Sequence, residues 1–294
     1  VFFSSRYLLL YRFGTCQIRI IHINKVAMLT EMFKLLILIL ALCPSAIDSS
    51  FQYFNMVEQW PGGYCQFHRC RRVPWPNDFT IHGLWPANHT GTVENCKKTG
   101  FAPIQVTFTT YWNFRHEMWI YSCLLLTSKD YFQDENKFKQ LDSIWPNLDQ
   151  PRPEYDRLGS RVLAQSFWGH EWKKHGTCSE NMYNQTQYFD LAIKLKNRYN
   201  LLSILEQGGL SRGHSHEVSD VNSTIWRTTH GTPDLKCLND ARVHRNVPVL
   251  QEIGICYRPS KNRSGQVSFS VINCPHSRTR TCYRGLGNGK IVFP

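Results

Sequence analysis

The cysteines limit what this chain can fold into more than any other feature of its sequence. Of the eleven cysteines, Cys16 and Cys43 lie in the first 46 residues and Cys123 lies in an atypical stretch, which leaves eight. An even number is expected of a protein that folds in an oxidising extracellular compartment, where cysteines pair as disulfides. Eight cysteines allow about 105 different pairings, so the sequence alone leaves the connectivity open.

The first 46 residues have the layout of a secretory leader. Lys34 precedes the apolar run at residues 35–43, and small residues follow that run, as they do at a signal-peptide cleavage site. The run is too short to span a bilayer, so a transmembrane helix is rejected. We therefore expect upstream translated sequence at 1–27, a signal peptide at 28–46 and one folded domain at 47–294.

Charge and sequons fit a secreted protein that binds a polyanion. The formal net charge is +12, and a basic surface suits a nucleic-acid substrate, although a basic protein without such a partner would have the same composition. Asn-x-Ser/Thr sequons are acceptors for glycans in the secretory pathway. They occur at Asn88, Asn184, Asn222 and Asn262.

Two short motifs carry the residues that can perform chemistry. They are FTIHGLWP at residues 79–86 and FWGHEWKKHGTC at residues 167–178. A general acid, a general base and cations that stabilise negative charge are all available among their side chains, which suits a phosphodiester substrate. The side chains concerned are His82, His170, Glu171, Lys173, Lys174 and His175.

The second motif predicts a helix that begins at Trp168 and ends at His175. Residues four apart share one face of a helix, which would place Glu171 beside His175. A zinc site of the HExxH type is rejected, because His170 and His175 are five residues apart and Lys174 occupies the position of the second ligand. The remaining alternative is a solvated amphipathic helix end without a catalytic role.

The first motif predicts a strand over residues 78–83. Apolar and polar residues alternate there, Gly83 is expected to end the strand, and Trp85 with Pro86 is expected to turn the chain away. A single histidine on a strand is more often structural than catalytic. The functional interpretation of His82 therefore depends on the second motif.

The two motifs resemble the active-site segments of the ribonuclease T2 family of secreted, metal-independent RNA-cleaving enzymes. The resemblance continues through residues 54–65 and 144–148 and the closing IVFP, and so covers roughly residues 51–294. Plant members, including the self-incompatibility ribonucleases of the pistil, are the most similar. The resemblance implies a single α+β domain with a central, mainly antiparallel sheet flanked by helices and four disulfides. The implied pairs are Cys65–Cys70, Cys96–Cys178, Cys237–Cys282 and Cys256–Cys274.

The resemblance also implies a role for each residue of the motifs. His175 would be the general base that takes the proton of the ribose 2′-hydroxyl, and His82 the general acid that protonates the departing 5′-oxygen. Glu171 and Lys174 would orient the base and stabilise the phosphorane, and His170 would contact the phosphate. Neither a metal ion nor another cofactor takes part, and DNA, which lacks the 2′-hydroxyl, would not be cut.

Base recognition is the less defined part of the resemblance. Trp85 corresponds to a tryptophan that stacks on a base, and Gln59, Asn147 and Phe167 correspond to a second base pocket. Many family members carry Asp where this chain has Ala87, which leaves purine preference at the first site open. Ordinary core packing is the alternative interpretation of Trp85 and Phe167.

The periodicity of the mature chain predicts five strands and four helices. The strands are expected at 51–59, 78–83, 248–257, 266–272 and 289–293, and the helices at 136–143, 168–175, 186–206 and 216–229. Residues 104–133 fit this pattern poorly, because they are dense in aromatic residues and contain the unpaired Cys123. They are either a genuine insertion that recognises a partner or a translated intron or another gene-model error.

Three functions remain open at this stage. The first is a self-incompatibility ribonuclease with a recognition partner on the pollen side, and the second is a general ribonuclease for RNA catabolism or defence. The third is a catalytically inactive relative kept for storage or RNA binding. In the first two cases the protein is expected to be extracellular and monomeric, to have no membrane anchor in its mature form and to act on single-stranded RNA.

Overall fold

The computed structural model describes residues 51–98, 100–102, 135–153, 158–239, 247–275, 277–283 and 288–294. The expected leader and upstream sequence, and the atypical stretch 104–133 with Cys123, lie outside these residues. The described residues belong to a single compact unit that begins at Ser49.

Among the described residues, eight strands form one sheet. They are β1 (Tyr53–Gln59), β2 (Thr80–Asn88), β3 (Gly91–Thr92), β4 (His214–Glu217), β5 (Asp234–Leu238), β6 (Val249–Lys261), β7 (Val267–Ile272) and β8 (Lys290–Phe293). The order of the main path is β3-β2-β1-β6-β8-β4. The long strand β6 also pairs with β5 along its first half and with β7 along its second half. Within the described ranges every pairing is antiparallel except that of β6 with β8, which confirms the predicted α+β class with a mainly antiparallel sheet.

Six α-helices accompany the sheet in the described part of the chain. They are α1 (Pro61–Tyr64), α2 (Glu135–Ile144), α3 (Leu158–Lys174), α4 (Gln185–Lys196), α5 (Leu201–Gln207) and α6 (Val218–Thr229). Residues Gly176–Ser179 and Thr279–Tyr283 form short 3-10 helices.

Three helix predictions are corrected. The motif predicted to begin a helix at Trp168 forms its end, because α3 starts at Leu158 and no proline interrupts it. The helix expected at 186–206 is two helices. Asn200 caps the start of the second helix, because its side chain accepts a hydrogen bond from the backbone N–H of Ser203. The last helix begins at Val218, since His216 and the residue after it belong to β4.

The strand that contains His82 is longer than predicted. Instead of ending at Gly83 it continues through Trp85 and Pro86 to Asn88. The carbonyl of Pro86 accepts a hydrogen bond from the N–H of Val93 on the outer side of β2. Since the N–H and C=O of one strand residue point the same way, the N–H that proline lacks faces that outer side, and the pairing with β1 loses nothing.

Strands β3, β4 and β5 were not predicted. β3 has only two residues, and β4 has the sequence HSHE, which is polar throughout and shows no alternation. β5 carries charged residues at two of its five positions. Hydrogen bonds to neighbouring strands, rather than local propensity, make these segments extended.

Large aromatic side chains fill the space between the sheet and helices α3 and α4. Trp145, Trp168, Trp172 and Tyr188 are each at most 2% exposed. Trp168 donates through Nε1 to the carbonyl of Trp145 at 2.6 Å, and the Tyr188 hydroxyl donates to the carbonyl of Leu84 at 2.7 Å. The first bond ties α3 to the segment after α2, and the second ties α4 to the strand that carries His82. Nε1 of Trp172 has no hydrogen-bond partner among the described residues.

The structure contains the four disulfides that the family resemblance implied: Cys65–Cys70, Cys96–Cys178, Cys237–Cys282 and Cys256–Cys274. The second of these joins the segment after β3 to the 3-10 turn that follows α3. In the part of the chain that is described, no helix is long and apolar enough to cross a membrane.

Candidate active site

His82 is the extra residue of a β-bulge in β2. On β1, Val57 pairs with Gly83 and the next residue, Glu58, pairs with Ile81, so His82 lies between two paired positions. A bulge bends the strand and redirects the side chain of its extra residue, and bulges are frequent beside active sites. The imidazole is thereby turned from the regular ladder toward α3.

A carboxylate on another strand holds the His82 ring. Nδ1 lies 2.8 Å from Oε1 of Glu252 on β6, and the backbone carbonyl of His82 accepts a hydrogen bond from Trp145. Burial lowers the pKa of His82, but the charge of Glu252 and its hydrogen bond, with a smaller contribution from Glu171, raise it above the ordinary value of 6.5. His82 therefore tends to carry a proton.

His175 follows the last residue of α3 and is 2% exposed. Its Nε2 lies 4.0 Å from Oε1 of Glu94, and its Nδ1 is buried with no hydrogen-bond partner among the described residues. Burial, and then the charges of Lys174 and His82, lower the pKa of His175 to about 3. His175 is therefore neutral, which is the state a general base requires.

Trp85 lies against both imidazoles. Its ring stacks on that of His175 with centroids 5.1 Å apart and planes 26° apart, and it meets the ring of His82 edge to face at 5.1 Å. The indole Nε1 donates to Oε2 of Glu171 at 2.9 Å. One side chain thus fixes the relative positions of a protonated ring, a neutral ring and a carboxylate.

Glu171 points at the first imidazole rather than the second. It is 2% exposed, and its Oε1 lies 4.0 Å from Nε2 of His82. Burial raises its pKa, against the opposing charge of His82 and the hydrogen bond from Trp85. The family resemblance gave Glu171 the task of orienting His175. In the structure the carboxylate accepts a hydrogen bond from Trp85, on which His175 stacks.

Gly83 explains why a carboxylate can approach β2 so closely. A Cβ at this position would overlap Oε2 of Glu171 and Nε1 of Trp85. Any larger residue would therefore separate the two groups and displace Glu171 from His82. This close approach, rather than a strand end, is what the glycine provides.

Two further residues of the second motif lie at the rim of the site. Lys174 is partly exposed, and its Nζ lies 3.5 Å from Oε1 of Glu94, the carboxylate that also faces His175. His170 is exposed on α3, and burial together with the charges of Lys174 and His82 lowers its pKa. Both side chains are in reach of solvent and of an anion that enters the site.

The residues expected to bind bases are only partly brought together. Phe167 lies beside His82, with ring centroids 5.8 Å apart. Asn147 donates to Oγ of Ser166 at 3.3 Å, so it lies next to the residue that precedes Phe167. Gln59, in contrast, is buried within β1 and only 3% exposed, and a base could touch it only if neighbouring side chains moved.

A groove of about 510 Å³ opens beside Trp85. Ala87, Arg278 and Arg280 also line it. The guanidinium of Arg278 lies 5.2 Å from the centroid of the Trp85 ring, so a base that stacked on this indole would share or displace that contact.

Glu252 and the residues around it were missed by the sequence analysis. Glu252 is 1% exposed and binds Lys236 at 3.0 Å and Arg278 at 2.5 Å in addition to His82. The signal was a carboxylate inside the apolar strand predicted at 248–257, because a buried charge needs a partner. Its partners lie far away in the chain, and no local spacing reveals them.

The four sequons differ in accessibility. Asn184 and Asn262 are exposed, and Asn184 uses only its Oδ1 to cap α4. Asn88 is half-buried at the end of β2. Asn222 is also half-buried, and its Oδ1 has no partner among the described residues.

Comparisons with known proteins agree with this architecture. Residues 51–274 match the sequence model of the Ribonuclease T2 family. Ribonuclease S-7 of Nicotiana alata is 33% identical over 269 residues, which cover 91% of this chain and 100% of that protein. Ribonuclease S-2 of the same plant is 35% identical over 253 residues, which cover 85% of this chain and 92% of that protein.

A solved structure shows the same fold. It is that of the SF11-RNase of Nicotiana alata, described as associated with gametophytic self-incompatibility. It is 29% identical with a TM-score of 0.55, and the match covers 83% of this chain and 99% of that chain.

Proposed function

The chain belongs to the ribonuclease T2 family of RNA-cleaving enzymes, and on that premise we propose that it is a secreted endoribonuclease that works without a metal ion. The substrate is single-stranded RNA, and the internal nucleophile is the ribose 2′-hydroxyl. The observation that carries the proposal is that His82 and His175 both contact the indole of Trp85, while their surroundings raise the pKa of the first imidazole and lower that of the second.

In the first step the 2′-oxygen attacks the neighbouring phosphorus. His175 accepts the proton of the 2′-hydroxyl, and His82 donates a proton to the 5′-oxygen as its bond to phosphorus breaks. The products are a 2′,3′-cyclic phosphate and a free 5′-hydroxyl. Water then opens the cyclic phosphate with the two proton transfers reversed, and a 3′-phosphate remains.

Cations at the rim of the site support the proposal that the substrate is a phosphodiester. Lys174 and His170 stand beside His175 and face solvent, so an anionic phosphate is attracted to this position. A bound phosphate would offset the charge of Lys174 and raise the pKa of His175 toward the working pH, where a general base is most effective.

We also propose that the protein is secreted, is glycosylated and acts in self-incompatibility. Four disulfides and exposed sequons at Asn184 and Asn262 support secretion. Because these two sequons are exposed, they are the preferred sites for glycans. The solved relative that is described as associated with self-incompatibility favours the same role here, with a monomeric enzyme that meets a pollen-side partner. Transcript confined to the style supports this role, whereas expression throughout the plant favours RNA catabolism or defence.

Product analysis tests the proposed activity. The purified mature protein is incubated with each homopolymer RNA, and the ends are identified by mass spectrometry. We expect 2′,3′-cyclic phosphates that convert to 3′-phosphates, and no cleavage of the matching DNA. An intact RNA substrate would instead support the inactive storage or RNA-binding relative.

Chelation should leave this activity unchanged. Two imidazoles carry the proton transfers and side-chain cations stabilise the charge, so the mechanism needs no metal. The same RNA is therefore cleaved at the same initial rate with and without EDTA, at matched ionic strength. An EDTA-treated enzyme that recovers only after a divalent cation is added would contradict the mechanism.

A further inference from the structure

Glu252 lies behind the ring of His82, at the centre of a cluster of cations that includes His82 itself. Three of them touch its carboxylate: His82 Nδ1 at 2.8 Å and Lys236 Nζ at 3.0 Å on Oε1, and Arg278 Nη1 at 2.5 Å on Oε2. They come from β2, from β5 and from the segment before the last 3-10 helix. Burial alone would raise the pKa of Glu252, but His82, Arg278 and Lys236 outweigh burial and lower it, so the carboxylate is ionised.

An ionised carboxylate fixes the state of the ring that touches it. Such a group can only accept hydrogen bonds, so Nδ1 of His82 must be the donor. The second proton of the charged imidazole is then on Nε2, the nitrogen that faces Glu171 and the site. The same contact prevents a rotation of the ring that would exchange the positions of Nδ1 and Nε2.

We propose that Glu252 is a positioning residue for the cleavage reaction, which holds His82 protonated and turned so that Nε2 delivers its proton to the departing oxygen. This inference rests on the proposed function, since it assigns Glu252 to the general acid of that mechanism. A carboxylate that orients a catalytic histidine from behind has a known physical basis: it selects the tautomer and stabilises the imidazolium.

The competing explanation is a purely structural one. Glu252 also joins β6 to β5 through Lys236 and to the C-terminal segment through Arg278. Arg278 is in turn bound to Asp234 at 2.8 Å. Loss of the carboxylate would remove a buried partner from three half-buried cations and destabilise the fold whatever the role of His82. The experiment must therefore separate catalysis from stability.

The charged and titratable groups around this pair come from several elements. Those that face His82 or Glu252 are Glu171, His170 and His175 from α3 and its end, Lys236 from β5, Arg278, and Tyr64 from α1. Glu252 is the group in direct contact with Nδ1.

Leaving-group chemistry separates the two explanations. The full-length mature protein and its Glu252→Gln variant are assayed with two substrates, uridylyl-(3′→5′)-adenosine and uridine 3′-(4-nitrophenyl phosphate). The first releases an alkoxide that needs a proton, and the second releases nitrophenolate, which does not. The ratio of the two kcat/KM values within one preparation is independent of how much protein is folded.

We expect Glu252→Gln to lower kcat/KM for the dinucleotide by at least about 10-fold, and to change that for the aryl ester much less. Glu252→Asp keeps the charge and should restore most of the ratio. Glu58→Gln is the matched control. Glu58 is also buried and ion-paired, with Lys196 at 3.0 Å, so its loss costs stability but should leave the ratio at the wild-type value.

His82→Ala is the reference for loss of the acid. If His82→Ala shows the selective loss and Glu252→Gln lowers both rates equally, or lowers neither, the positioning role is overturned and the proposed function stands. If His82→Ala itself shows no selectivity, His82 is not the acid, and both the proposed function and this inference are overturned.

Discussion

Replacement of His82 or His175 by alanine should each lower kcat/KM for RNA by about 10²–10⁴-fold, which is the usual contribution of one positioned acid or base. In the proposed mechanism the two residues act in the same step, so the double variant should be little worse than the more damaged single variant. The measurement is the initial rate of RNA cleavage, with the fold checked by near-ultraviolet circular dichroism.

His214→Ala is the matched control for these variants. His214 is an exposed histidine on β4 and belongs to no part of the site, so its loss should leave the rate unchanged. Full turnover in either His82→Ala or His175→Ala would show that the acid and base have been assigned to the wrong residues.

Removal of the Cys96–Cys178 disulfide should lower the free energy of unfolding much more than removal of the Cys65–Cys70 disulfide. It closes a loop with a sequence separation of 82, for which chain entropy accounts for about 4–5 kcal/mol. Cys178 also bonds through its backbone N–H to the carbonyl of His175 at 3.0 Å. We therefore expect the double variant Cys96→Ala with Cys178→Ala to lose activity at temperatures where the wild type is stable.

The Cys65–Cys70 pair provides the comparison. Its sequence separation is 5, so the same reasoning gives only about 2 kcal/mol. Urea unfolding of both double variants measures the difference. Equal losses of unfolding free energy would show that native-state contacts, rather than the length of the closed loop, set the contribution of these disulfides.

The contiguous part of the site could be predicted from the sequence. His170, Glu171, Lys174 and His175 lie within six consecutive positions, and a helix end brings them to one place with few assumptions. The resemblance to a known family supplied the disulfide pairs, which spacing alone left open.

The rest depends on contacts between distant segments. The bulge that turns His82 toward α3 arises from the register of β1 against β2, which no local pattern encodes. Glu252 is separated from His82 by 170 residues, and Arg278 reaches Glu252 from a segment with no motif of its own. Gly83 was taken as a strand end, although its small size serves the approach of Glu171.

The two imidazoles should hold opposite protonation states in the free enzyme, and a histidine titration by NMR measures both states. The ring signals of His82 and His175 are assigned by comparing the wild type with the His82→Asn and His175→Asn variants, and are followed from pH 4 to 8, a window chosen around the ordinary histidine pKa of about 6.5. We predict that His82 titrates above that value, whereas His175 stays neutral throughout. Two rings that titrate together, or a His175 that keeps its proton after His82 has lost its own, would contradict the account.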